Sequence, residues 1–185
     1  MPEPVELFLV GSRDQARQLT GNPYRGQAIP GELTAVFVTE PGRRPAFRHE
    51  IMHALTLTYW GTARTGSWLQ EGVAVWAPGT CPGQSVDAIA AGYLRRGTLR
   101  PLPELAAEFW QIDEVHAYMT AGSAVNFLAR THGRGAVEAL WKQPAAAFPH
   151  PLGRNGSSVE AAWRRYLATV PAVDLDATIL REQGC

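Results

Sequence analysis

Lysine is nearly absent from this chain: of its 17 basic residues only Lys142 is not an arginine. The arginines are scattered, and 17 acids cancel the basic charge. With no net charge and no basic stripe, the sequence creates no field that would draw nucleic acid or an anionic membrane. Apolar runs are short as well, none near the roughly 20 residues that a membrane span needs. The opening MPEPVELFLVGSRD carries acids where a signal peptide carries bases, and its apolar run is too short for one. With Met1 as the native start, the chain is expected to be cytoplasmic; as an excised piece it is expected to be secreted. Cysteine is scarce too. Cys81 and Cys185 lack CxxC spacing and are too few for a disulfide framework. Cys81, in the turn-rich APGTCPGQ, reads as an ordinary loop thiol. The sharper alternative is a thiolate that reaches a nearby metal and silences it.

What is present fits one well-formed core. At 185 residues and 45% hydrophobic, the chain is short for two domains, so residues 1–185 are expected to form one. Residues 5–10 (VELFLV) and 33–39 (LTAVFVT) are β-branched and aromatic runs flanked by Gly, Pro and Ser, and both read as strands. Between them SRDQARQLTG reads as a short helix with Ser12 as N-cap and Gly21 past its end. NPYRGQAIPGE reads as a loop or irregular strand. From Pro45 onward the pattern is helical, over 45–60, 67–77, 84–96, 102–109, 113–132, 135–142 and 157–170. Ser157 and Glu160 have capping-box spacing. The segment 143–156, rich in Pro and Gly, reads as a loop. The prediction is an α+β fold: a small N-terminal β-sheet followed by a mainly helical region.

Within that region RHEIMHALTL contains HEIMH. On a helix, His49 and His53 lie about 40° apart around the axis and one turn along it. Two imidazoles on one face can share one ion. Glu50, rotated about 100° from His49, can act on a water at that ion without being a ligand. Phe47, Ile51, Met52, Ala54 and Leu55 are expected to anchor the helix. A zinc site that does chemistry needs a third ligand. Eighteen positions beyond His53, in SWLQEGVAVWA, stands Glu71. It lies early on a helix capped by Ser67, and Gly72 beside it is expected to let this helix approach the first closely. Glu40, Asp87, Glu104, Asp113 and Glu114 are weaker candidates, because none combines a short connection with an apolar helix face.

HEIMH followed by WLQEGVA resembles the gluzincin zinc metallopeptidases, in particular compact peptidase MA-like domains with HExxH and a downstream W-L-x-E-G-x-A. The similarity runs loosely from about residue 5 to 170. It implies a Zn2+ ion on His49, His53 and Glu71, and hydrolysis of peptide bonds in a peptide or protein substrate by a metal-activated water. Glu50 would be the general base. It also implies a strand whose edge pairs with an extended substrate, which falls on 33–39. One departure is evident: thermolysin-like relatives carry an Asp four residues after the ligand glutamate to orient the first histidine, where this chain has Val75, so another group or a backbone carbonyl must orient His49. For the oxyanion stabiliser, DEVHAYMTAGS offers His116 and Tyr118, and the resemblance favours Tyr118. Its plain reading is a helix tyrosine with a buried ring. His132 and His150 read as surface residues. The rival to a peptidase is a catalytically inactive zinc-binding module for peptides or partners. A third possibility is a domain without metal.

Overall fold

The protein is described by a computed structural model covering residues 3–81, 83–144, 156–175 and 181. A three-stranded sheet comes first. Strand β1 (Glu6–Val10) is followed by helix α1 (Arg13–Thr20), then β2 (Gly26–Ala28) and β3 (Thr34–Val38). Helix α1 is bounded as its sequence dictates. The Ser12 hydroxyl accepts from the Gln15 N–H at 3.2 Å, and Gly21 takes the left-handed conformation at φ 79°.

The strand order is β1-β3-β2, with β1 parallel and β2 antiparallel to β3. This corrects one expectation. The 33–39 segment is the central strand, paired on both sides, so it has no edge left for a substrate. The edge strands are β1 and β2, and β2, inside the segment read as a loop or irregular strand, is the one packed on α2. Its three residues, one of them glycine, are too few for a period-2 pattern to stand out.

The helical region then runs through α2 (Phe47–Tyr59), α3 (Ser67–Trp76), a small hairpin of β4 (Thr80–Cys81) and β5 (Gln84–Ser85), and α4 (Val86–Arg95). It continues with α5 (Leu102–Glu108), α6 (Glu114–His132), α7 (Arg134–Trp141) and α8 (Gly156–Thr169). The architecture is α+β, a small sheet ahead of a mainly helical body. Helix α2 lies between the two parts, touching β2 and β3 on one side and α3 on the other. Among the described residues no helix is long and apolar enough to cross a membrane.

Helices α3 and α6 form the centre of the helical core. Glycine makes their close approach possible. A Cβ on Gly72 would lie 2.9 Å from the Ala121 carbonyl oxygen, and one on Gly122 would lie 2.4 Å from Val75 Cγ1. Gly72 therefore serves the α3–α6 contact, not the α2–α3 contact its sequence position implied. Around this pair, Trp68, Trp141 and Trp163 are fully buried with Leu69, Leu105, Leu128 and Leu140. Each fully buried Leu contributes about 1.5–3 kcal/mol by leaving water. Helices α4, α6 and α8 also enclose a polar centre. Asp87 accepts from Ser123 Oγ at 2.8 Å, Asn126 Nδ2 at 2.6 Å and Tyr166 Oη at 2.5 Å.

Three local expectations are revised. Ser67 is the first residue of α3, not its cap, and its hydroxyl accepts from Trp110 Nε1 at 3.0 Å. Helix α8 already begins at Gly156, so Ser157 is not an N-cap. The Glu160 carboxylate instead accepts from the Leu102 N–H at 3.1 Å, at the start of α5, and from Arg164 Nε at 2.7 Å. Cys81 is no loop thiol: it is buried in β4 and disulfide-bonded. The idea of a silencing thiolate falls with that. Most of the loop expected at 143–156, and His150 within it, lies outside the described residues.

Candidate metal centre

Helix α2 buries its polar face. His49, His53, Ala54 and Thr56 are its buried residues, while Phe47 is exposed and Ile51, Met52 and Leu55 are only half-buried. The expected apolar anchors therefore do less than the histidine face itself. That face meets Glu71 in the second turn of α3, and the two imidazoles and the carboxylate converge. His53 Nε2 lies 3.0 Å from His49 Nε2 and 3.1 Å from Glu71 Oε2, and His49 Nε2 lies 3.3 Å from the same oxygen. All three residues are 7–8% exposed.

Protons satisfy this triangle poorly. A neutral imidazole has one N–H and one lone pair. Two Nε2 atoms facing each other at 3.0 Å clash if both are protonated and repel if neither is. A cation at the centre satisfies all three atoms together. Ligands bound tetrahedrally at about 2.0–2.2 Å from a zinc ion stand about 3.3–3.5 Å apart, so a small outward relaxation seats one. The group is able to hold a metal ion, and among the described residues it is the sole His/Cys/Asp/Glu group of that kind.

Burial shapes the ionisation of the group. Burial raises the Glu71 carboxyl, but hydrogen bonds from His49 and His53 outweigh it and hold the pKa down at about 2. Burial works against the His53 cation, yet the hydrogen bond to Glu71 pushes its pKa above the ordinary value. Glu50 is raised, chiefly by burial and against the pull of both histidines. Its carboxylate accepts a hydrogen bond from the Ala28 backbone N–H on the edge strand β2. Gly26 packs against it so closely that a Cβ there would lie 2.7 Å from Glu50 Oε1. The sheet thus fixes the acid beside the ligand set. Sequence reasoning missed this role of β2, for which the lone glycine in RGQA was the available signal.

Tyr118, from α6, stacks on His49 with ring centroids 5.9 Å apart. Burial, and after it the neighbouring Glu71 carboxylate, pushes the pKa of its hydroxyl up. His116, two residues earlier, faces away and stacks on Tyr93 at 4.0 Å. His132 is exposed, as expected. The weaker acids are engaged elsewhere: Glu40 with arginines, Asp87 in the polar centre, Glu104 with Arg100 and Asp113 at the α6 N-cap. Glu114 stands at the cleft wall without joining the cluster. Val75 packs on Gly122, and the buried His53 Nδ1 has no hydrogen-bond partner among the described residues.

The centre opens into a cleft of about 930 Å³ between the sheet and the helical body. Gly26, Gln27 and Ala28 line one wall, and Gln70, Trp110 and Tyr118 are among the residues of the other. Compared with protein-family models, curated proteins and solved structures, the chain matches none, so the site has to be read from its own geometry.

Proposed function

We propose that the protein is a zinc-dependent peptidase of gluzincin type, with His49, His53 and Glu71 as metal ligands and Glu50 as general base. The observation that carries the reading is the Nε2–Nε2–Oε2 triangle with edges of 3.0, 3.1 and 3.3 Å, opening into a cleft with Glu50 beside it. Two imidazoles and one carboxylate form a donor set suited to zinc at a catalytic site. When bound, the metal supplies Lewis acidity, polarising a carbonyl and making water a better nucleophile.

The chain's own residues do the rest. Glu50, raised in pKa by burial, takes a proton from the attacking water and passes it to the leaving amine. The Ala28 N–H and the bare Gly26 hold its carboxylate in place. Tyr118, stacked on His49, would donate to the oxygen on which negative charge develops. Apart from the Ala28 N–H, which meets Glu50, the outer edge of β2 offers backbone groups to an extended peptide. Of the two settings read from the sequence, the disulfide at Cys81 supports the oxidising, secreted one.

A second reading is a zinc-binding module that engages peptides without cleaving them. The His53 Nδ1, which has no hydrogen-bond partner among the described residues, favours it, because an unoriented ligand weakens a catalytic site. One experiment separates the two. Protein purified without chelator is analysed for metal and assayed on a peptide mixture, alongside Glu50→Gln. Zinc in both proteins with cleavage in the parent alone supports the peptidase; zinc without cleavage in either supports the module. Protein that takes up no zinc overturns both readings.

A further inference from the structure

We propose that the arginines gathered around Glu40 form a carboxylate-binding subsite of the cleft, which selects an acidic side chain or a free C-terminal carboxylate on the carboxyl side of the bond to be cut. The inference rests on the peptidase reading for its reference to a cut bond; the binding it describes does not need turnover.

Glu40 follows β3, and three guanidiniums converge on it. Arg13 Nε lies 3.2 Å away, Arg25 Nε 3.3 Å and Arg43 Nε 3.9 Å. Arg44 lines the same cleft. Four cations thus share the cleft with Glu40, in a chain whose charges cancel overall. A stabilising surface pair needs only one partner of each sign, and crowding further like charges on it gains nothing. Each guanidinium has five N–H donors in a planar fork. Glu40 therefore leaves most of these donors unspent, while it gathers the side chains at one place. Their side chains are 35–48% exposed, so they remain open to a second carboxylate. Bidentate recognition of that group is what arginine provides and lysine does not.

Strand polarity sets the side. The Arg25 carbonyl accepts from the Val38 N–H and the Ile29 N–H donates to the Thr34 carbonyl, so residues 25 and 29 turn their backbone toward β3. The alternation of a ladder then turns Gly26 and Ala28 toward the free edge, where Ala28 meets Glu50. A peptide added antiparallel to this edge runs from the Ile29 end toward Arg25. Its carboxyl-terminal part passes beyond Glu50 to Arg25 and then to the group at Glu40.

The test uses the zinc-loaded full chain and peptides carrying Glu or Gln at each position around the cut, each with a free or an amidated C-terminus. A subsite predicts about tenfold higher kcat/KM for Glu over Gln on the carboxyl side, or for acid over amide, depending on which carboxylate is the source. The advantage should shrink between about 0.05 and 0.5 M salt as screening sets in. It should disappear in Arg25→Gln/Arg43→Gln, while the Gln amide peptide is cut at an unchanged rate. Arg13→Gln, tested singly, carries the same expectation. Fluorescence anisotropy of the same labelled peptides on Glu50→Gln separates this inference from the peptidase reading. Tighter binding of the carboxylate-bearing peptides, lost in the arginine variants, upholds the subsite even if nothing is cleaved. Equal binding of acidic and neutral peptides overturns it, and so does a preference for acid on the amino side.

Discussion

Asp87 and Glu71 are both acids enclosed by helices, and their surroundings answer the buried charge in opposite ways. Asp87 accepts from a serine, an asparagine and a tyrosine, each bringing a hydrogen of its own, and Arg130 supports the tyrosine at 2.8 Å. Burial and the bond to Asp87 push the Tyr166 hydroxyl up to about 12, so it remains a donor at neutral pH. Nothing is missing there. Glu71 faces two ring nitrogens whose lone pairs and protons compete for one small space. A buried carboxylate satisfied by fixed donors is a structural centre; one whose partners all converge on a common point calls for a cation. The difference separates the two acids where their burial, at 5% and 7%, does not.

The comparison breaks most visibly at the ligands. His53→Ala or Glu71→Gln should lower zinc affinity more than about a hundredfold, beyond the 10–100-fold cost of losing a mere orienting group, as measured by competition with a chromogenic chelator. Glu50→Gln should retain zinc and lose turnover by roughly 10²–10⁴-fold, a loss typical of a missing general base. Wild-type zinc affinity in Glu71→Gln would make Glu71 a bystander like Asp87.

Asp87→Ala sharpens the other half. It leaves several buried donors without an acceptor and should cost about 2–4 kcal/mol in denaturant unfolding, with zinc content per folded molecule unchanged. Loss of metal in proportion to stability would mean that the two centres are one cooperative unit. Gly72→Ala pushes a Cβ against the α6 backbone and should cost about 1–3 kcal/mol, lowering the melting temperature without touching the ligands. The smallest effect belongs to Cys81. With its sulfur held in a disulfide, Cys81→Ser should change neither zinc occupancy nor turnover per folded molecule. A rise in turnover would restore the silencing thiolate.

Elements with strong local signals were legible in the sequence. Ser12 and Gly21 bound α1 because a hydroxyl acceptor and a left-handed glycine act within a few residues. Helices α2, α3 and α6 fall within two residues of the pattern for the same reason. The caps at Ser67 and Ser157 failed because such a signal marks a helix start only to within a residue or so. In both cases a neighbouring residue opened the helix, and the Glu160 carboxylate found a better partner in α5.

By itself the sequence determined which residues form the candidate metal group, since helical spacing brings His49 and His53 to one face and places Glu71 early on the next helix. Only the tertiary structure decided what surrounds that set. Which strand has a free edge depends on sheet order, and β3 lost both edges to β1 and β2, two strands that precede it in the chain. That Gly72 serves α6, that Tyr118 and not His116 reaches the site, and that Arg13 and Arg25 reach Glu40 are long-range contacts. No spacing along a chain encodes them, because each is fixed by how whole helices and strands pack after their local structure is formed.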